Sequence, residues 1–429
     1  MRSQVSKSFT LTETFKEKLL TWASQFYEVV WLDSNDYEQE HSNFKALLAV
    51  DALTSIQTSY HGAFNALEEY QETTKDWLFG YLTYDLKNDV EQLTSANEDY
   101  LGFPDISFFQ PKKILVFDDN AVTFMYLNFV ADEIDDDWEA ISNQVVTASN
   151  PSEKDIKIRL RTSKDSYFEK VETMLSHIER GDIYEANFCQ EFFSENTSIN
   201  PITTFLQLNE ISKPPFATFL KIDQRFLLSA SPERYLKKEG STVISQPIKG
   251  TAKRADNNEE DRAIIDKLLN DPKERSENIM ITDLVRNDLS RFAKKGSVIV
   301  DELCKVYTFE QVHQLISTVR CEVDPTVSIV SLLRDTFPMG SMTGAPKVSA
   351  MKIIENLEDT KRGLYSGAVG YFTPDNNFDF NVIIRSILFN EANKYVSFSV
   401  GGAITNKSLP EAEYEECLLK AKAMRSVLE

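Results

Sequence analysis

The sequence predicts an α+β protein with largely antiparallel strands, and three features of the 429-residue chain predict it. Strand-like runs follow one another through turns with no helix between them: FATFLKI, FLLSASPERYLKKEG and STVISQPIKG in the middle, then SGAVGYFT, FNVIIRSILF and YVSFSVGGAIT near the end. Long helical segments interrupt these groups instead of alternating with single strands, which separates the chain from a doubly wound parallel fold. The hydrophobic content of 42% is enough to bury a sizeable core in one large domain or two ordinary ones.

Taken in order, the first part mixes β-like runs (FYEVVWL, KKILVFDD) with helical patches (FNALEEY, DVEQL), and no internal repeat is visible. The acidic DEIDDDWE at 132–139 reads as a solvated helix start. TASNPSEKD at 147–155 is linker-like and divides an N-terminal subdomain, residues 1–150, from a second unit over residues 160–429, against which the first is expected to pack. SYFEKVETMLSHIERGDIYEANFCQEF opens with a helix presenting Phe168, Val171, Met174, Leu175 and Ile178 at helical spacing, ended near Gly181, with a strand after it. DPKERSENIMITDLVRNDLSRF at 271–292 has a well-marked helix start: Asp271 as N-cap, Pro272 at the first helical position and Glu274 where a capping-box acid belongs. In the final helix, SLPEAEYEECLLKAKAMRSVL, Ser408 and Glu411 can form a second capping box.

A net charge of -21 argues against nucleic acid and anionic membrane surfaces as partners. An anionic small substrate would need its own local cluster of Arg, Lys or backbone amides. The four cysteines (Cys189, Cys304, Cys321, Cys417) are scattered without a C-x-x-C pair, and with only four histidines no thiolate or imidazole metal cage can be drawn. A metal would be held by hard carboxylate oxygens, which suits Mg²⁺. A reduced, cytoplasmic setting is expected, since the N-terminus lacks an apolar signal region and no run of 18 apolar residues occurs.

Six places can carry chemistry. In ISQPIKGTAKR, Lys249 stands where an apolar strand meets Gly250; it is either an exposed lysine at a strand end or one aimed into a site that the glycine lets a ligand approach. Glu274 and Glu277 share one helical face, and Glu413, Glu416 and Lys420 share a stripe on the final helix. Each set has an ordinary reading, as acids favoured in a first helical turn and as a surface ion pair; four converging carboxylates would instead hold Mg²⁺. Gly340, Ser341, Thr343 and Gly344 make a small-residue loop before Pro346 opens a helix, a setting that suits an anion although the Walker pattern is absent. Gly401 and Gly402 in SVGGAIT either expose backbone amides or form a turn. Arg385, in VIIRSILF, either points inward to an anion or outward from a half-exposed sheet.

SASPER, PIKGT, SENIMITDLVRNDLSR, VHQLISTV, FPMGSMTGAPK and EAEYEECLLKAK occur in the order and spacing of the chorismate-utilising enzymes. The chain resembles that family from about residue 165 to its end, in particular the component I chains of aminodeoxychorismate synthase and, close by, of anthranilate synthase. Weaker echoes at VVWLDS, WLFGYLTYDL and KKILVFDD extend the likeness over most of the rest. The resemblance implies two packed, largely antiparallel β-sheets flanked by helices. It implies one Mg²⁺ gripping the ring carboxylate of chorismate, with Glu277 and Glu416 as ligands and Glu274 and Glu413 in support. It gives Arg385 and Tyr371 the enolpyruvyl carboxylate, assigns carboxylate oxygens to the amides around Gly401 and Gly402 with Lys420, puts Thr343 in the pocket wall and sets His313 beside the ring.

By the same resemblance Lys249 is a covalent nucleophile, because relatives that make anthranilate usually have Ala in this motif, and Glu233 of SASPER is the general acid. The function implied is amination of chorismate at C4, on the p-aminobenzoate branch of folate synthesis, with ammonia from a separate glutamine amidotransferase because no glutaminase region is recognisable. The alternatives are anthranilate synthase component I and a non-catalytic subunit binding chorismate or tryptophan; water-using isochorismate or salicylate synthases stand further off. Ser34 of VVWLDS, with Pro215 and Phe216, marks a candidate tryptophan pocket, although Ser212 and Ala217 depart from the tryptophan-regulated pattern. Two further departures are Ala403, where many relatives have a third glycine, and Glu185, where glutamine is commoner.

Overall fold

Apolar residues alternate along several central strands so that one strand feeds two different cores. In the strand Glu28–Asp33, Val29 and Trp31 face one cluster while Val30 faces the other; Phe219 and Leu220 divide in the same way, as do Leu228 and Leu227. The structure is a computed structural model describing residues 1–37, 44–145 and 156–429, so the linker expected at 147–155 lies outside the described residues.

Every strand ladder among the described residues is antiparallel. One wing runs Arg2–Ser8, Ala121–Leu127, Ile106–Phe117, Ala46–Thr58, Glu28–Asp33, Phe216–Ile222, Arg225–Ser231, Ser386–Asn390, Tyr395–Ile404 and Glu185–Glu195. The long strand Ile106–Phe117 also pairs with Leu78–Leu82, which starts a second wing through Ala368–Phe372, Phe378–Val382, Arg234–Glu239, Thr242–Gln246 and Val312–Glu322. Ile248–Lys253 and Ile299–Thr308 complete it, both on Val312–Glu322. The wings are thus continuous through one shared strand, and they pack on each other across a core that includes Val30, Leu220 and Leu227 from the first and Tyr81, Leu236 and Val369 from the second. The first wing's other face is covered by helices Glu13–Ala23, Lys164–Glu179, Pro201–Ser212 and Pro410–Leu428 through residues such as Leu19, Met174, Leu208 and Met424. This is the expected α+β arrangement of two packed sheets with flanking helices.

Three local expectations change. FNVIIRSILF is two strands, Phe378–Val382 and Ser386–Asn390, because Arg385 takes a left-handed φ of 53° between them. SVGGAIT is no turn: Gly401 and Gly402 continue the strand Tyr395–Ile404, opposite Cys189 and Phe188. The capping box at Ser408 and Glu411 does not form, since the last helix starts at Pro410; Ser408 Oγ instead accepts from the Thr405 amide, and Glu411 pairs with Lys164.

Candidate active site

Where the two wings meet, a cavity of about 1760 Å³, counted to its open mouth, lies between helices Pro272–Ser290 and Pro410–Leu428. Lys249, Glu233, Glu274, Glu277, Glu413, Glu416, Arg385, Gly401, Gly402 and Lys420 all line it, so ten of the residues singled out in the sequence, scattered between 233 and 420, come together.

Lys249 leaves its strand at an irregularity. The register of Ile248–Lys253 on its neighbour shifts between Ile248 and Thr251, and Gly250 has φ of 94°. A Cβ on Gly250 would meet Leu315 Cδ1 at 3.0 Å and Glu274 Oε2 at 3.1 Å, so glycine lets the strand approach the acid-bearing helix. Asn278 of that helix fastens the contact, donating to the carbonyls of Lys249 (3.2 Å) and Leu315 (3.0 Å). Asp271 caps the helix as expected, accepting from the amides of Lys273 and Glu274 through Oδ1.

Glu233 sits in the turn between Arg225–Ser231 and Arg234–Glu239, buried, with its amide donating to Ser231 Oγ and its carbonyl accepting from Val382. Burial pushes its carboxyl up to about 7, against the opposing pull of the Ser341 hydroxyl, the Lys249 charge and the Ile248 backbone. Burial likewise pushes Glu277 up to about 7, opposed by Lys249 and Lys273, and raises Glu274. Burial also acts upward on Glu416, but the charge and hydrogen bond of Lys420 outweigh it and hold this carboxyl below its ordinary value.

The two acid-bearing helices are joined across the cavity. Lys273 Nζ lies 3.9 Å from Glu277 Oε1 and 3.7 Å from Glu413 Oε1, while Lys420 Nζ contacts Glu416 at 2.7 Å and donates to the Gly401 carbonyl at 2.7 Å. A Cβ on Gly402 would stand 3.2 Å from Glu413 Oε2, so glycine keeps the strand low beneath the acid, and one on Gly401 would stand only 2.5 Å from Cys189 Sγ, so glycine there lets the neighbouring strand approach. Among the described residues no three His, Cys, Asp or Glu side chains form a finished cation cage. The donor set nevertheless fits a hard divalent ion: it is all carboxylate oxygen, and Glu277 Oε1 is buried with no hydrogen-bond partner.

Three expected residues lie elsewhere. Val312 and Gln314 line the cavity, so strand alternation turns His313 to the other face, where it is fully buried with Nε2 2.8 Å from Asp261 and Nδ1 3.0 Å from Thr308 Oγ1. Thr343 is fully buried, its hydroxyl donating to the carbonyls of Met339 and Gly340, and its neighbours Ser341 and Met342 face the cavity instead. Tyr371 packs with Phe44, Trp77 and Phe79 in the wall of a second cavity; the tyrosine lining the large cavity is Tyr365, which acts electrostatically on Arg385. Burial pulls the Arg385 guanidinium below its ordinary value, with Tyr365 and Glu416 opposing.

Sequence reasoning passed over Tyr365 and Lys273. Nothing in RGLYSGAVGY separates its two tyrosines, but Lys273 could have been found, four residues before Glu277 on the same helix. The second cavity, about 490 Å³, is lined by Ser34, Pro215 and Phe216 together with Asp33, Arg234 and Tyr371.

The model of the family described as chorismate binding enzyme matches residues 13–426. The chain belongs to that family. Aminodeoxychorismate synthase component 1 of Bacillus subtilis (strain 168) is 31% identical over 388 residues, 86% of this chain and 82% of that protein. Anthranilate synthase component 1 of Thermus thermophilus is 32% identical over 392 residues, covering 89% and 84%. Aminodeoxychorismate synthase component 1 of Escherichia coli (strain K12) is 39% identical over 267 residues, covering 62% and 58%. Among solved structures, anthranilate synthase component I from Streptococcus pneumoniae TIGR4 superposes with a TM-score of 0.79 at 24% identity, covering 91% of this chain and 95% of that one. The chorismate-binding chain is thus an enzyme of this family, and no described helix is long and apolar enough to cross a membrane.

Proposed function

We propose that the protein aminates chorismate at ring C4 to give 4-amino-4-deoxychorismate, using Mg²⁺ and ammonia delivered by a partner glutaminase. Identities of 31% and 32% to the two kinds of synthase do not separate them, so the reading rests on Lys249 sharing one cavity with Glu233, Arg385 and four acids. Lys249 adds to C2 as a neutral amine, the ring double bonds shift, and the C4–O bond breaks with its hydroxyl leaving as water on the proton of Glu233. Ammonia then forms a bond to C4, the double bonds shift back, the C2–N bond breaks to release Lys249, and the new C4 ammonium returns one proton to Glu233. Glu277 and Glu416, supported by Glu274 and Glu413, would hold Mg²⁺. The bound ion would neutralise the ring carboxylate and make the ring a better electrophile. Arg385 with Tyr365 would take the side-chain carboxylate.

NMR of the product formed from chorismate, Mg²⁺ and ammonium tests the reading. Nitrogen on C4 supports it; anthranilate with released pyruvate replaces it with the anthranilate synthase reading, and binding without turnover with the regulatory one. Full activity with glutamine and no second chain removes the partner. The second cavity is proposed to take tryptophan, on the support of Ser34, Pro215 and Phe216 lining it together. Added tryptophan should then raise the melting temperature, and an unchanged value counts against it.

A further inference from the structure

Lys273 has no part in the chemistry above, yet among the described residues it is the cation that bridges the two acid-bearing helices. Its ammonium is 3.9 Å from Glu277 Oε1 and 3.7 Å from Glu413 Oε1, beyond hydrogen-bonding distance of either, so it is shared between the helices and tied to neither. The acids are sunk, with side chains 12% and 4% exposed, whereas Lys273 is 39% exposed and lines the cavity. Glu277 Oε1, the atom it approaches, is left without a hydrogen bond.

We propose that Lys273 is a resident counter-cation of the divalent-ion site, bridging Glu277 and Glu413 until the metal enters and displaces its ammonium to the cavity mouth. The inference rests on the cation clause of the proposed function. Mg²⁺ demands oxygen ligands at about 2.0–2.1 Å in near-octahedral array, and an ammonium beside the same oxygens opposes a second positive charge. A lysine can yield the position because its charge is compact, well hydrated and carried on a flexible four-carbon stem, and this one is already partly in solvent. The bridge accounts for two observations together: the acid pairs stay close enough to be linked by one side chain, yet form no finished cage. An ordinary i,i+4 pair explains only the contact with Glu277.

Two measurements on the full chain, stripped of divalent ions by chelator, test this. The first is calorimetric titration with Mg²⁺ of wild type, Lys273→Met and Lys273→Arg. Lys273→Met keeps most of the stem, loses the charge and should bind Mg²⁺ about tenfold tighter, while Lys273→Arg should stay near wild type; equal or weaker binding by Lys273→Met overturns the proposal. The second needs no variant: acetylation of Lys273 in the wild-type protein, read by peptide mass, should rise several-fold when Mg²⁺ is added. Labelling that is unchanged or reduced overturns displacement. Absence of Mg²⁺ binding by wild type would instead remove the cation from the proposed function itself, a result distinct from normal binding that Lys273→Met does not improve.

Discussion

A carboxyl that keeps its proton near neutrality has to be withheld from water, and Glu233 is 5% exposed beside Ser341, its pKa pushed up to about 7 by burial. With free ammonia held constant, turnover should fall as pH rises past about 7, and Glu233→Gln should lose about 10²–10⁴-fold in rate and flatten that limb. The same burial has a stability consequence. Below about 4.5 folded and unfolded chains both carry the proton; between there and about 7 only the unfolded chain releases it, so stability falls as pH rises. This one group contributes a loss on the order of 3 kcal/mol by the linkage of pKa to free energy, which chemical denaturation of wild type against Glu233→Gln at pH 4.5 and 7.5 should reveal as a difference small at the lower pH and present at the higher, with the variant the more stable. At Lys249 the test is covalent. Acid-quenched protein incubated with chorismate and no ammonia should carry a mass adduct on the peptide containing Lys249, and Lys249→Ala should lose both adduct and C4 amination.

At the scale of elements, the helix that brings Glu274 and Glu277 to the cavity owes its start to Asp271, whose Oδ1 accepts from two first-turn amides. Asp271→Ala should cost about 1 kcal/mol of stability by thermal melting. Gly401 is constrained from the opposite side: a Cβ there would stand 2.6 Å from the Phe188 carbonyl oxygen, so Gly401→Ala must push two paired strands apart. A destabilisation of about 1–3 kcal/mol in a denaturant titration is expected. Such features were legible because they are local: Asp271 and Pro272 mark a helix start, and the E-x-x-E spacing puts two acids on one face. The errors came where a second element decides. Whether Val312 and Gln314 or His313 face the cavity depends on which side of the strand Val312–Glu322 receives the helix, and the two tyrosines of RGLYSGAVGY part only because Tyr371 is paired opposite Phe79 while Tyr365 precedes its strand. The capping box at Ser408 failed for a similar reason, since Thr405 claimed the hydroxyl first.

For the whole molecule the question is whether the N-terminal subdomain, residues 1–150, and the unit from 160 are separable. The ladders suggest not. Glu28–Asp33 pairs along its length with Phe216–Ile222, Leu78–Leu82 with Ala368–Phe372, and the strand Ile106–Phe117 is the bridge through which both wings are continuous. Cutting between the two parts would expose the edges of long antiparallel pairings together with Val30, Trp31, Phe219 and Leu220, all fully buried or nearly so. A chain of this composition can fold as two domains only if few contacts cross the boundary, and here one core contains residues from both sides. We therefore propose a single cooperative unit. The intact chain should melt in one transition seen alike by tyrosine–tryptophan fluorescence and by far-ultraviolet circular dichroism. Residues 156–429 expressed alone should bind a hydrophobic dye and aggregate, and co-expression with residues 1–145 should restore a soluble complex. Two resolved transitions in the intact chain, or a soluble and monomeric 156–429 fragment that turns over chorismate, would show instead that the N-terminal strands are an addition to a sheet already complete without them.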